Sequence, residues 1–165
     1  MTAYSKDVIR DLVSGQLPWP QTKRIMSAYK DEDRFFKVLA VLQERVSWKE
    51  KILLPISDHL FIVQAKKARV TKCECGHDFG DYKKNWKLKA NISVRNTETS
   101  LREIYPNNDI PDPKWMEIRE FLCPSCGTLH EVEACAPGYP ILHEFEPDIE
   151  GFYSDWLKQP LPKGL

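Results

Sequence analysis

Cys73-Glu74-Cys75-Gly76-His77 is the stretch of sequence that decides the fold, together with its counterpart Cys123-Pro124-Ser125-Cys126-Gly127. The two clusters together supply four thiols, which is the number that a closed tetrahedral zinc site needs. In each cluster the glycine lets backbone N–H groups approach the sulfurs and stabilise thiolate charge. A shared metal ion would hold two distant segments of the chain together, so the clusters bear on the fold as well as on the chemistry.

The predicted metal ligands are Cys73, Cys75, Cys123 and Cys126. The second cluster has the usual C-x-x-C spacing, whereas the first has the tighter C-x-C spacing, so His77 is an alternative ligand and His130 a weaker one. A full set of protein ligands leaves no open position for water, and the zinc is therefore predicted to be structural rather than catalytic. The remaining thiol, Cys135, is predicted to be a small, half-buried apolar residue on a strand.

Composition indicates an ordinary globular protein with reduced thiols. The chain has 165 residues, and Lys+Arg and Asp+Glu are equal at 24 each, so there is no electrostatic case for nucleic acid as a partner. Neither a cleavable leader nor an apolar run long enough for a membrane span is present, and we expect no membrane partner. Because most of the cysteines have metal-like spacing, we expect the chain to be cytoplasmic.

The pattern of apolar residues predicts an α+β fold in three segments. These are helices in residues 1–48, a β-rich zinc-ribbon-like domain in residues 49–146, and a C-terminal helical arm in residues 147–165. Asp31 is predicted to cap the longest N-terminal helix. A hairpin is predicted around residues 57–59, and further strands at residues 70–73, 88–94, 115–122 and 129–135. A strand, a cysteine turn and a second strand thus occur in succession twice, as in a zinc ribbon.

Two basic clusters leave a nucleic-acid interface open as an alternative to an ordinary solvated face. Tyr82 and Trp86 lie within the second cluster, and aromatic side chains can stack on bases. The basic residues are Lys66, Lys67, Arg69 and Lys72 in the first cluster, and Lys83, Lys84, Lys87 and Lys89 in the second. No phosphate loop, dinucleotide fingerprint or nucleophile elbow occurs, so we predict neither catalytic nor cofactor-binding residues in this chain.

Several motifs in this order resemble the small gamma subunit of the acetone carboxylase and acetophenone carboxylase family. The resemblance covers nearly the whole chain, from about residue 5 to about residue 160. The motifs that carry it are Cys73 to Phe79, Asn85 to Leu88, Glu103 to Pro106, Arg119 to His130 and Pro147 to Tyr153. Their number and spacing make the resemblance more specific than either cysteine cluster alone.

This resemblance implies a subunit of a biotin-independent, ATP-dependent ketone carboxylase. Such enzymes convert acetone to acetoacetate or acetophenone to benzoylacetate, and both ketones stay open here. Large hydantoinase-like partner subunits would carry ATP and any catalytic metal, while this chain would contribute a structural zinc and help assembly. Phe152, Tyr153 and Trp156 are candidate anchors for those partners, with packing onto the chain's own sheet as the alternative.

Two other functions stay open at this point. The first is a free-standing zinc-ribbon module that binds protein or nucleic acid, which the neutral charge of the chain disfavours where nucleic acid is concerned. The second is a thiol redox protein that uses Cys73 and Cys75, which the second cysteine pair at metal spacing disfavours.

Overall fold

The computed structural model describes residues 4–66, 68–107 and 109–162. The N-terminal part is helical, with α1 (Lys6–Val13), α2 (Trp19–Ser27) and α3 (Arg34–Arg45). The strands are β1 (Lys51–Ser57), β2 (Leu60–Ala65), β3 (Ala68–Cys73), β4 (Asp78–Asp81), β5 (Asn91–Arg95), β6 (Glu117–Leu122) and β7 (Leu129–Cys135). Helix α4 (Glu98–Arg102) precedes β6, and α5 (Ile149–Gly151) continues into a π-helical turn, Phe152–Trp156. This mixed α+β architecture agrees with the prediction.

The strands form two antiparallel sheets. The first has the order β1-β2-β3-β4 and the second has the order β5-β6-β7. Strands β1 and β2 form the predicted hairpin, with Ser57 opposite Leu60, and β7 occupies the predicted residues 129–135. In β2 the four residues from Leu60 to Val63 are all buried, so both faces of this strand are covered.

The two faces of the first sheet are covered by different parts of the chain. Phe61 and Val63 pack with Leu42 of α3 on one face. Ile62 packs with Ile149 and Tyr153 of the C-terminal arm on the other. The helical segment and the arm are therefore two outer layers around the hairpin. The predicted division of the chain at residues 48 and 146 into separate segments stays a prediction.

A third apolar cluster links the first sheet to the second. Phe79 of β4 packs edge-to-face on Trp86, and Trp86 packs in the same way on Phe121 of β6. Cys73 and Cys123 are buried in this cluster. The aromatic contacts and the cysteine turns therefore lie in the same junction between the sheets.

The predicted strand at residues 88–94 is wrong in its first half. Residues Trp86–Lys89 form a 3-10 helix, and β5 begins only at Asn91. The side chain of Asn85 accepts a hydrogen bond from the backbone N–H of Lys87 and so starts the helical turn. This turn directs the Lys87 side chain into the interior, where it is only 3% exposed.

The N-terminus of α3 also differs from the prediction. Asp31 does not cap the helix with its carboxylate, because Asp33 occupies the N-cap position. The Asp31 carboxylate accepts hydrogen bonds from Arg34 Nε at 2.6 Å and from Lys37 Nζ at 3.1 Å. Asp31 thus pairs with two cations of the first turn instead of binding free backbone N–H groups.

For Tyr153, the structure favours packing onto the chain's own sheet, which was the alternative to an anchor for a partner. Tyr153 is 2% exposed, and its hydroxyl donates a hydrogen bond of 2.9 Å to the carbonyl of Leu53. Leu53 is the extra residue of a β-bulge, since the β1–β2 register shifts between Ile52 and Leu54. Tyr153 therefore satisfies a buried backbone group of its own sheet, and burial raises its pKa to about 12.

We expect Tyr153→Phe to lower the free energy of unfolding by about 1–2 kcal/mol. The ring would keep its packing, but the Leu53 carbonyl would be left buried without its donor. Urea denaturation followed by tryptophan fluorescence measures the change. The control is Tyr29→Phe, because Tyr29 is 88% exposed and its hydroxyl should contribute nothing. An equal effect of the two substitutions would contradict the assignment.

Candidate metal centre

Four thiols converge at the junction between the two sheets. Cys73 ends β3 and Cys75 follows it, while Cys123 follows β6 and Cys126 lies in the turn before β7. The four sulfur atoms all lie within 4.8 Å of one another. Cys73 Sγ is 3.8 Å from Cys126 Sγ, and Cys75 Sγ is 3.7 Å from Cys123 Sγ. The structure thus brings together all four residues that the sequence singled out.

Matching backbone turns present the two thiol pairs. In the first turn Cys73 N–H donates to the His77 carbonyl and Gly76 N–H donates to the Cys73 carbonyl, both at 2.9 Å. In the second turn Cys123 and Gly127 make the equivalent bonds at 2.9 Å. Each turn joins two antiparallel neighbours, β3 to β4 and β6 to β7. The chain therefore forms the strand–turn–strand unit of a zinc ribbon twice, as predicted.

The arrangement of the sulfurs fits a tetrahedral metal ion. A Zn–S bond is about 2.3 Å long, so the sulfurs of a regular tetrahedron are about 3.8 Å apart. Two of the cross-pairs here, at 3.7 Å and 3.8 Å, match that edge length. Four thiolates around one ion leave no position for a substrate or a water nucleophile. A metal held here would fix the junction of the two sheets.

The thiols differ in how readily they lose a proton. Burial raises the pKa of Cys73 and of Cys75. The Thr128 hydroxyl, 3.1 Å from Cys126 Sγ, is the main cause that lowers the pKa of Cys126 to about 6. Burying several thiolates without a cation is unfavourable, whereas a bound metal favours deprotonation of every ligand. The donor set is therefore better suited to a metal ion than to free thiols.

The alternative histidine ligands lie outside the thiol group. His77 Nδ1 is 2.7 Å from the Ser125 hydroxyl, and its ring packs edge-to-face on Phe79. His130 packs edge-to-face against Phe79 and Trp86. Its ring nitrogens are both buried without a hydrogen-bond partner among the described residues. Burial lowers the pKa of His130 to about 4, so the imidazole is neutral at pH 7.

Residues outside the turns hold the first turn in place. The indole N–H of Trp48 donates a hydrogen bond of 3.0 Å to the Glu74 carbonyl. The Glu74 carboxylate is within hydrogen-bond distance of His59 Nδ1 and lies 3.4 Å from Arg45 Nη2. Gly76 has a φ of 100°, and a Cβ at this position would lie 3.3 Å from the Trp48 ring. Helix α3, the β1–β2 turn and the cysteine turn are thus joined through Glu74.

A second acidic group lies on the second sheet, but a lysine occupies its centre. The Lys87 ammonium pairs with Glu131 at 2.6 Å, with Glu133 at 2.5 Å and with Glu144 at 2.9 Å. Although burial opposes its charge, these carboxylates raise the pKa of Lys87. The ammonium also lies 5.3 Å from the centroid of the Phe121 ring. Lys87 joins β7 to the chain segment that follows it, and the group is an ion-pair cluster rather than a metal site.

Part of each basic cluster is neutralised inside the protein, whereas Lys66, Lys83, Lys84 and Lys89 are exposed and form no ion pair among the described residues. Lys87 is buried, Lys72 pairs with Glu50 at 2.6 Å, and Arg69 pairs with Glu150 at 2.5 Å. Lys67 lies outside the described residues. Cations that are neutralised within the protein cannot contact phosphates. Lys72, Arg69 and Lys87 therefore give no support to the nucleic-acid interface that the sequence left open.

Sequence reasoning missed three of these features. The C-x-C spacing was a signal that the first turn needs outside support, but it does not identify Trp48. The sequence around Lys87 does not indicate that its side chain is buried, because its carboxylate partners lie far away along the chain. The His130 ring is shielded from polar groups by Phe79 and Trp86. His130 is far from these two residues in the sequence and meets them only in the folded protein.

Cys135 is half-buried at the end of β7, as predicted.

The fold and the thiol cluster define a small α+β protein with a four-cysteine ribbon that could hold a metal ion. Residues 46–157 match the model of the family described as acetone carboxylase gamma subunit. The acetone carboxylase gamma subunit of Xanthobacter autotrophicus is 49% identical over 163 residues, covering 98% of this chain and 97% of that protein. The chain therefore belongs to the acetone carboxylase gamma subunit family.

A more distant similarity extends to a second carboxylase. The acetophenone carboxylase beta subunit of Aromatoleum aromaticum is 44% identical over 55 residues, which is 33% of this chain and 39% of that protein. Both relatives are named as subunits, and the shared segment is much shorter in the second. Across residues 4–66, 68–107 and 109–162, no helix has the length and the apolar character needed to cross a membrane.

We expect Trp48→Phe to loosen the first cysteine turn. Phenylalanine would keep much of the packing on Gly76 but remove the donor to the Glu74 carbonyl, at a cost of about 1 kcal/mol in unfolding free energy. The metal-loaded variant should also release its metal faster to a coloured chelator. Trp115→Phe is the matched control, because Trp115 is 79% exposed. Unchanged release from the Trp48 variant would show that the contact does not support the turn.

We expect His130 to make the protein less stable in mild acid. Its pKa is about 4 in the fold and about 6.5 when exposed, so the unfolded chain binds more protons between those values. Stability is therefore complete above pH 6.5 and falls as the pH decreases towards 4, by roughly 2–3 kcal/mol for this group. Thermal melts between pH 7 and pH 4 should show a shallower acid loss for His130→Phe than for the unmodified chain. Parallel curves would contradict the buried neutral imidazole.

Proposed function

We propose that this chain is the zinc-binding small subunit of a biotin-independent, ATP-dependent ketone carboxylase. The observation that carries the proposal is the 49% identity to an acetone carboxylase gamma subunit over 98% of the chain. Similarity along the whole length of both proteins supports the same role in the same kind of complex. The free-standing zinc-ribbon module has no comparable support.

Zinc is the metal that best suits the four thiols. Cys73, Cys75, Cys123 and Cys126 would hold it, and the ion would supply structural rigidity and no catalytic step. The cross-pair distances of 3.7 Å and 3.8 Å support this ligand set. His77 is not needed as a ligand, because the fourth position is already filled by a thiol. Folding of the ribbon would then be coupled to metal binding.

The catalytic work would lie on the partner subunits. In this proposal large hydantoinase-like chains bind ATP and any catalytic metal, and this chain contributes to the assembly of the cytoplasmic complex. Acetone is the favoured substrate, with acetoacetate as the product, because the similarity to the acetone carboxylase subunit is full-length. The similarity to the acetophenone carboxylase subunit covers only 33% of the chain.

The test is co-expression with the large carboxylase subunits of the source organism. A tagged chain should co-purify with them and carry one zinc, measured by metal analysis and native mass spectrometry. The complex should hydrolyse ATP in the presence of acetone and bicarbonate. Cys126→Ser should lose the zinc, be destabilised and fail to assemble, since metal binding and folding are coupled.

The matched control for this prediction is Cys135→Ser. Cys135 lies outside the thiol group, so its variant should keep both the zinc and the partners. A chain that purifies alone under these conditions would contradict the subunit role. A folded Cys126→Ser protein that retains a full complement of zinc would contradict the ligand set without affecting the subunit role.

A further inference from the structure

An apolar groove lies between the first sheet and the C-terminal arm. It has a volume of about 380 Å³, and its apolar walls are Leu54, Phe145, Pro147, Phe152 and Trp156. Phe145 is 51% exposed and Trp156 is 80% exposed. Large aromatic side chains left open together are the kind of group that anchors protein interfaces. We refer to this feature as the aromatic groove.

The residues beneath the aromatic groove are well packed. Phe152 packs edge-to-face on Phe35 at 5.2 Å, and the neighbouring Tyr153 is fixed to the Leu53 carbonyl. The π-helical turn is closed by the Leu157 N–H, which donates to the Phe152 carbonyl at 3.0 Å. Trp156 is thus carried by a turn whose other side is buried in the core. A partner could bind here without first ordering the arm, which reduces the entropic cost of association.

The edge of the groove is acidic. Residues 144–155 include five carboxylates and no Lys or Arg. Glu144 and Glu150 pair with Lys87 and Arg69, and Asp148 accepts a hydrogen bond from the Gly151 backbone. Among the residues that the structure describes, Glu146 and Asp155 have no cationic partner within ion-pair distance. The groove itself is lined by Asp148 and Asp155, so it combines apolar walls with negative charge at its rim.

We propose that the aromatic groove docks an apolar segment of a large carboxylase subunit that carries lysine or arginine beside its buried side chain. This inference rests on the proposed function. The apolar side chain of the partner would fill the space between Leu54 and Phe145. Its cation would meet Asp155 and the exposed face of Trp156, where ion-pair and cation–π attraction act together.

The charge of the groove disfavours other occupants. Two copies of the chain that met through this face would place the same acidic rims opposite each other, because a two-fold interface is self-complementary. Such like-charge contact opposes association. The phosphates of a nucleic acid would be repelled for the same reason. The apolar walls and the acidic rim together favour a protein segment that is both apolar and basic.

The test uses the co-expressed complex and compares two substitutions with two controls. Trp156→Ala and Asp155→Lys should each weaken assembly by about tenfold or more, measured by native mass spectrometry across a dilution series. The controls are Trp115→Ala, which removes another exposed indole, and Glu32→Lys, which makes the same charge change on an exposed residue elsewhere. Thermal melts should show that all four variants are folded.

A zero-length carboxyl–amine cross-linker identifies the occupant. The expected product joins the peptide that contains Glu146 and Asp155 to a lysine of a large subunit, next to apolar residues. A link to a second copy of this chain, or normal assembly of both test variants, would overturn the docking proposal alone. If the unmodified chain does not assemble with the large subunits at all, the proposed function fails and the docking proposal fails with it.

Discussion

The constraint on which the rest of the structure depends is the meeting of four thiols between two small sheets. Cys73 and Cys75 belong to the four-stranded sheet, and Cys123 and Cys126 belong to the three-stranded one. In the part of the chain that the structure describes, the same junction contains a compact apolar cluster around Phe79, Trp86 and Phe121. A cluster of that size buries little apolar surface, so a metal ion that bridges the turns would contribute much of the stability of the junction.

The cysteine turns are not isolated units, because the first is connected to the helical layer. The indole N–H of Trp48 donates a hydrogen bond to the Glu74 carbonyl. The side chains of Arg45 and His59 contact the Glu74 carboxylate. A C-x-C turn has one residue fewer between its sulfurs than a C-x-x-C turn and so less backbone to position them. Contacts from outside the turn compensate for this difference. Through these contacts, a change in the shape of the first cysteine turn would also affect the end of α3.

The parts of this structure that could be predicted are those encoded locally. Cysteine spacing identified the four thiols, and alternation of apolar residues placed β7 at its observed bounds. The errors lie where tertiary contacts override the pattern. Lys87 was predicted to precede a strand, but it lies in a 3-10 turn, and three distant carboxylates stabilise its ammonium in the interior. Tyr153 and Trp156 were predicted together as candidate anchors, whereas the π-helical turn buries the first and exposes the second.

That turn gives the C-terminal arm two roles that depend on each other. Ile149 and Tyr153 close the core on one side of the sheet, and Trp156 is displayed a few residues later on the outer side. A surface built in this way is ordered before any partner arrives, so its aromatic residues can contribute their contact energy without a large loss of conformational entropy. The chain has equal numbers of acidic and basic residues, but the charges are not evenly distributed, because residues 144–155 include five carboxylates and no Lys or Arg. Neutrality of the whole chain is therefore compatible with a locally acidic rim, and it is this local charge that a partner would meet.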